Sequence, residues 1–315
     1  MTKYIIRRVL LAIPTILLVM FLVFMMLRLV PGDLVEIMLA ERPYSTPEDR
    51  AALEEQLGLD EPIPIQFVRY VGNVLRGDLG ESPWTTTPVT TEIGNRLPVT
   101  LEFGLMAILF GLMISLPVGI VSAIRQDSIA DYASRSFAIL ALSVPYFFTS
   151  ILIIVFGPKW GWTPPLLYKG WSDGPGAHLY YFVTPALLLG ISLAGCVMRL
   201  TRTMMLEVLR QDYIRTAWAK GLRERGVIMR HALKNAFIPV ITIVGLQVGT
   251  AISGTIILET IFNMPGMGRY FVGAILQRDY PSVQGVVLVL ASVVVFVNLL
   301  VDLTYGWLDP RIRYS

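Results

Sequence analysis

The sequence predicts an all-α polytopic membrane protein with six transmembrane helices. Three observations predict it: an excess of apolar residues, the gathering of that excess into charge-free runs, and the length of those runs. Hydrophobic residues make up 54% of the 315 and charged residues 16%. Soluble domains run at about 45–50% and about 25%. Mean hydropathy is +0.62.

The runs are Val9–Leu27 (19 residues), Phe103–Ile124 (22), Ser136–Pro158 (23), Leu179–Met198 (20), Asn235–Leu258 (24) and Tyr280–Val301 (22). A helix crosses the hydrocarbon core with roughly 20 apolar residues. Helix is favoured because lipid offers no partner to an unpaired backbone group. A membrane β-barrel would alternate apolar and polar residues, and these runs do not. The first run exceeds the roughly 7–15 apolar residues of a signal peptide, and no small-x-small cleavage site follows it. It reads as an uncleaved span, closed by a turn at Pro31-Gly32-Asp33.

Charge sets the orientation. With the N-terminus inside, the inner segments hold Lys3, Arg7 and Arg8, then Arg125 and Arg135, then nine basic residues from Arg199 to Lys234, then Arg311 and Arg313. That is 16 of the 26 Lys and Arg. The cytoplasmic excess of Lys and Arg therefore predicts that both termini are cytoplasmic.

The first outer loop, Pro31–Pro98, carries 12 Asp and Glu against five Arg. Within it Pro47–Leu57 reads as a short amphipathic helix with an acidic start. The loop either folds as a small external cap or only joins two spans. The second outer loop, Lys159–His178, carries Trp160, Trp162, Tyr168 and Trp171. These are interfacial anchors or contacts for a solute. The expected organisation is a first helix with its external segment (1–98), a five-helix core (99–305) containing a cytoplasmic loop (199–235), and a tail (306–315).

Small residues recur every fourth position in three runs: Ala107, Gly111, Ser115 and Gly119; Ala186, Gly190 and Ala194; Gly245, Gly249 and Ser253. That spacing places them on one helix face, where small side chains let two helices approach. The face packs within the bundle or against a second, similar subunit. Pro117, Pro145 and Pro185 are candidate kinks. Gln247 and Asn298 are the main polar residues in the runs, with Glu259 and Asp302 near run ends. No ionisable group lies mid-membrane, which argues against an ion-coupled carrier. No pair of Gly/Pro-broken half-helices stands out.

Little points to bond chemistry. A GxxxxGK[ST] phosphate loop is absent. Cys196 is the only cysteine, so no intramolecular disulfide or cysteine metal cluster forms. His178 and His231 fall on different loops and make no HExxH-type pair. No metal, nucleic acid or resident cofactor is expected.

The most informative segment is Met204–Pro239, which is basic and helix-rich. One short helix runs through Tyr213–Lys220. Gly221 then breaks it, since glycine accepts a left-handed turn. A second helix runs from about Arg223 into the fifth span, with Val227, Ile228, Ala232 and Leu233 as an apolar stripe. A helix–glycine–helix elbow projecting from a membrane has the shape of a docking element.

These residues carry a resemblance. Arg215-Thr216-Ala217-x-x-x-Gly221 looks like the cytoplasmic signature of ABC importer permeases, commonly Glu-Ala-Ala-x-x-x-Gly. Arg-Thr replaces Glu-Ala here, and Lys234 stands where the common form has proline. Asp212 to Gly221 and Arg230 to Ala236 are similar to the dipeptide/oligopeptide/nickel branch: Asp-Tyr-x-Arg-Thr-Ala-x-Ala-Lys-Gly, then Arg-His-Ala-Leu-x-Asn-Ala. Arg7-Arg8 with Ile13-Pro14, Arg28-Leu29-Val30-Pro31-Gly32-Asp33, Gly77-Asp78-Leu79-Gly80-x-Ser82, Glu259-Thr260-x-Phe262-x-x-Pro265-Gly266-x-Gly268 and Leu308-Asp309-Pro310-Arg311-Ile312-Arg313-Tyr314 resemble other parts of that branch. The resemblance covers essentially the whole chain.

It implies a type I ABC importer permease fold in the inner or plasma membrane of a prokaryote. It also implies pairing with a second homologous permease, two ATP-binding subunits that carry ATP and magnesium, and an extracytoplasmic substrate-binding protein. The short helix before the glycine would be the coupling helix, held in an ATPase groove. Tyr213, Arg215, Thr216, Ala217, Lys220 and Gly221 are the expected ATPase-coupling residues. The branch handles di- and oligopeptides, nickel, glutathione and some oligosaccharides. The rival readings are a stand-alone channel, an ion-coupled carrier and a membrane scaffold.

Overall fold

The structure, a computed structural model, describes residues 2–29, 39, 60–163, 165 and 167–308. The expected turn at Pro31-Gly32-Asp33, the short helix at Pro47–Leu57 and the tail from Asp309 lie outside the described residues. Helices α1 (Thr2–Leu29), α2 (Ile63–Leu75), α3 (Val89–Ile124), α4 (Ile129–Ser143) and α5 (Tyr146–Phe156) come first. There follow α6 (Pro175–Leu209), α7 (Asp212–Ala219), α8 (Glu224–Ile261), α9 (Met267–Leu276) and α10 (Tyr280–Leu308). Among the described residues the only extended pairing is one isolated bridge, Glu81 with Pro88.

Five of the six apolar runs lie in continuous helices long enough to span a membrane. The third departs from expectation. It is a bent pair of helices, α4 followed by α5 and a 3₁₀ turn at Gly157–Trp160, meeting at 88°. The break falls where Pro145 lacks an N–H and its ring disfavours a helical residue before it. Val144 is extended (φ −92°, ψ 117°). Pro117 and Pro185 lie inside α3 and α6, which continue through them.

The helices also overrun the charge-free runs. Residues Arg199–Leu209 continue α6, and Glu224 onward already belongs to α8. The basic loop expected over 199–235 is therefore mostly helix, with α7 set between two long rods. His178 is in the first turn of α6 and His231 in a π-helical stretch of α8, Val227–Ala232, so neither lies on a loop.

The chain divides into two compact units. In the larger (98–269 and 296–315), Phe103 and Ala107 of α3, Phe182, Ala186 and Leu189 of α6, and Ala251 and Leu258 of α8 form one buried core. Large apolar side chains elsewhere on α3 and on α4 face outward, such as Leu105, Met113, Ile139 and Leu140. So much exposed apolar surface suits lipid or partner helices rather than water.

In the smaller unit (2–97 and 270–295), Phe24 of α1 packs on Phe67 and Tyr70 of α2. Arg28 lies 3.5 Å above the Phe24 ring and bonds the Gln66 side chain. Burial pushes the Tyr70 phenol up to about 12. The Gly77–Ser82 motif is a turn, with Gly77 and Gly80 at φ +80° and +81°. It docks on the start of α10: Ser82 donates to Asp279 (2.6 Å), which also accepts from the Ser282 backbone and hydroxyl.

A candidate coupling site

Helix α7 starts at Asp212, a carboxylate placed where the helix dipole favours negative charge. Its end is a Schellman turn. The Gly221 N–H bonds the Trp218 carbonyl (2.9 Å) and the Leu222 N–H bonds Ala217 (3.4 Å). Gly221 sits at φ +74°, and a Cβ there would touch nothing within 4 Å. The glycine is required by backbone conformation rather than by space.

One face of α7 is a plug. Ile214 and Ala217, three residues apart, are buried against Ala123, Met205, Val227, Ile228, Ala232 and Ala236. The apolar stripe of the second helix is thus the socket for the first. The Tyr213 hydroxyl accepts a hydrogen bond from Asn235 Nδ2 (2.7 Å), tying α7 to α8. The other face is exposed. Arg215, Thr216 and Lys220 are exposed. Arg215 meets Asp212 only at 3.4 Å, with both side chains largely in solvent, a pairing worth little. Trp218 is 44% exposed beside these cations. It stands in an unspecified position of the motif, so the motif gave no signal; an indole on a polar helix was the available clue.

The socket is braced by a pair that the sequence reading missed. Arg202 of α6 grips Asp131 of α4 with two bonds, Nε to Oδ1 (2.7 Å) and Nη2 to Oδ2 (2.8 Å). Asp131 also accepts from Ser122 of α3 (2.6 Å) and the Asp127 N–H (3.0 Å), and it is fully buried. Three helices meet on one carboxylate. Arg202, counted above only as inner positive charge, is a structural clamp.

Above the clamp runs the small-residue seam. A Cβ at Gly190 would stand 2.7 Å from the Ala107 carbonyl oxygen, and one at Gly111 3.0 Å from that of Gly190. At Gly119 it would meet the Met198 carbonyl and Thr201. Ser115 is buried in α3. Gly245 faces Val301 of α10. Gly249 is half-buried, and its carbonyl accepts from Ser253.

The far end of α8, 35 residues and about 50 Å along the helix, holds a second clasp. Glu259 is fully buried, accepting from Thr100 (2.7 Å) and from the Gly268 and Arg269 N–H groups (2.7 and 3.2 Å). The Thr100 hydroxyl in turn accepts from Met267 (2.8 Å). A carboxylate thus caps the start of α9. Gly266 and Gly268 lie against it with no room for a Cβ, which explains the Glu259–Gly268 motif.

At that end His178 stacks between Trp171 (4.3 Å) and Phe182 (4.6 Å), with Glu102 on Nε2 and the Lys169 carbonyl on Nδ1, both at 2.8 Å. Of the four aromatics in the second outer loop, Trp162 packs on Gly157 and Tyr168 on Tyr181. Trp160 remains 75% exposed. Among the described residues no His/Cys/Asp/Glu group could hold a metal.

Five long apolar helices and one bent helix pair, with a short amphipathic helix socketed between two rods, define a multi-pass helical membrane protein. Comparison with known proteins is specific. Residues 115–314 match the family described as binding-protein-dependent transport system inner membrane component, and residues 1–104 match its N-terminal companion family. The chain belongs to this family.

A di/tripeptide transport system permease of Pseudomonas aeruginosa is 42% identical to it, and a dipeptide transport system permease of Escherichia coli K12 is 40% identical, both over the full length of both chains. A probable peptide ABC transporter permease of Sinorhizobium fredii is 37% identical over the same coverage. Among solved structures, an inward-facing methionine ABC transporter matches with TM-score 0.55 at 17% identity, covering 69% of this chain and 96% of that one. An amino acid ABC transporter matches at 0.54 and 13%, covering 68% and 93%. These two share the fold, the type I importer permease fold expected above. The relatives are named as permeases rather than enzymes, and the chain is an inner-membrane transport component.

Proposed function

We infer that this chain forms half of the pathway of an ATP-driven importer and receives ATPase motion through α7. Its solute is a di- or tripeptide or a related small molecule; the names of the full-length relatives support this. Its partners are a second homologous permease, two ATP-binding subunits that bring ATP and magnesium, and an extracytoplasmic binding protein. Both termini and α7 face the cytoplasm. Functionally the chain divides into the first helix with its external segment (1–98), the permease core (99–305) and a tail (306–315).

One observation carries the coupling assignment. Helix α7 is rigidly socketed on one face, through Ile214 and Ala217, and bare on the other, where Arg215, Trp218 and Lys220 face out. A rigid elbow transmits displacement, so the permease needs no catalytic group of its own. The test is Gly221→Val in the assembled complex, with solute uptake and ATP hydrolysis measured together. A β-branched residue in the left-handed region strains the turn by about 1–3 kcal/mol. Uptake falls while hydrolysis loses its response to loaded binding protein. Normal values of both overturn the assignment.

A further inference from the structure

We propose that the cleft between α4 and α6 is a binding site for the headgroup of an anionic phospholipid. The cleft has a volume of about 270 Å³. Its mouth carries Arg135 and Arg199, both exposed, and its wall carries Arg202. Arg202 is neutralised by Asp131 behind it. Among the described residues no carboxylate pairs with Arg135 or Arg199, and no acidic side chain lines the cleft. Two positive charges are therefore left to face an occupant.

Depth identifies that occupant. Arg135 immediately precedes the apolar run Ser136–Pro158, and Arg199 immediately follows the run Leu179–Met198. Both mark the edge of the hydrocarbon core, where lipid phosphates lie. Below them the cleft becomes apolar, with Ile139, Leu142 and Met198 on its walls. That order, cations over a greasy slot, matches a phosphate followed by the first methylenes of an acyl chain. Basic pockets between spans recognise anionic headgroups in this way.

The hydroxyls refine the choice. Ser122 donates to Asp131, Ser134 to the Ala130 carbonyl and Thr203 to the Arg199 carbonyl. Their protons are committed, so the guanidinium groups are the donors left for a ligand. The cleft thus selects an acceptor-only phosphate diester over a zwitterion, whose ammonium two uncompensated cations repel. A headgroup here bridges α4 to α6 beside the Asp131–Arg202 clamp and so stiffens the base of the socket.

The experiment uses the purified, delipidated permease complex and native mass spectrometry. The probes are phosphatidylglycerol, phosphatidylcholine with the same chains, and inorganic phosphate. Phosphatidylglycerol is retained in preference to phosphatidylcholine, and millimolar phosphate does not displace it. The double variant Arg135→Gln/Arg199→Gln weakens phosphatidylglycerol binding roughly 30-fold, which is about 1 kcal/mol for each arginine. Ile139→Trp, at an exposed wall residue, weakens it with the cations intact.

Equal retention of the two lipids, or unchanged binding by the double variant, overturns the proposal. Displacement by phosphate shows a free-anion site and overturns it. So does binding by the separated chain but not by the complex, because the cleft is then a subunit interface in the complex.

Discussion

Ile214→Ala tests whether α7 is held by its plug. Ile214 is fully buried, and the helix it anchors has eight residues. A helix that short does not persist in water on its own, since isolated helices under about 12–15 residues are marginal. Its order therefore comes from the socket of Met205, Val227, Ile228 and Ala232. Replacing a buried isoleucine by alanine costs about 2–5 kcal/mol. At 1.4 kcal/mol per decade, the docked population of α7 falls roughly 30-fold or more relative to the undocked one.

The readout is amide hydrogen exchange across Arg215–Leu222 in the detergent-solubilised permease, with Arg215→Ala as the surface control. In Ile214→Ala these amides lose protection by at least an order of magnitude, while those of α3, α6 and the later turns of α8 keep theirs. Arg215→Ala exchanges like the parent, because its pairing with Asp212 is long and solvated. Unchanged exchange in Ile214→Ala refutes the socket argument. Loss of protection throughout α6 and α8 refutes it too, since the residue would then belong to the global core.

Other perturbations separate the clamp from the seam. Arg202→Met strands a buried carboxylate and costs about 3–5 kcal/mol, whereas Asp131→Asn/Arg202→Met removes both charges and recovers most of that; thermal unfolding of the solubilised protein reads the difference. Gly190→Val drives a Cβ to within 2.7 Å of the Ala107 carbonyl and costs about 1–3 kcal/mol or more by overpacking. Gly226→Ala, at a helical glycine with nothing within 4 Å, is neutral or slightly stabilising in the same unfolding assay.

The sequence exposed the parts of this protein that are local. Hydropathy located the spans because crossing a bilayer imposes a length on contiguous residues. The Gly221 elbow was legible because a left-handed turn selects glycine at one position and the apolar stripe at Val227–Ala232 follows at helical spacing. The four-residue recurrence of small side chains likewise marks one helix face from sequence alone, without naming the helix that it meets.

What stayed hidden joins distant residues or depends on backbone angles. Asp131 and Arg202 are 71 positions apart, and Glu259 reaches Thr100 across 159. No periodicity connects either pair. Positive-inside counting even obscured Arg202, because a clamped arginine and a solvated one carry the same charge. The run Ser136–Pro158 looked continuous because hydropathy does not register ψ, and the 88° bend arises from the conformation of Val144 before Pro145. Trp218 was passed over because its side chain falls in a position that the motif leaves open.

Coupling through α7 requires direct contact between that helix and an ATP-binding subunit. In a Cys196→Ser background, Trp218→Cys and Lys220→Cys are introduced singly and treated with a short thiol-to-amine cross-linker in the assembled complex. Val68→Cys on α2 serves as the control. Positions 218 and 220 each trap an ATP-binding subunit, with a yield that changes between nucleotide-free and ATP-trapped states, and position 68 traps none. An intact complex in which neither 218 nor 220 cross-links to that subunit contradicts coupling through α7.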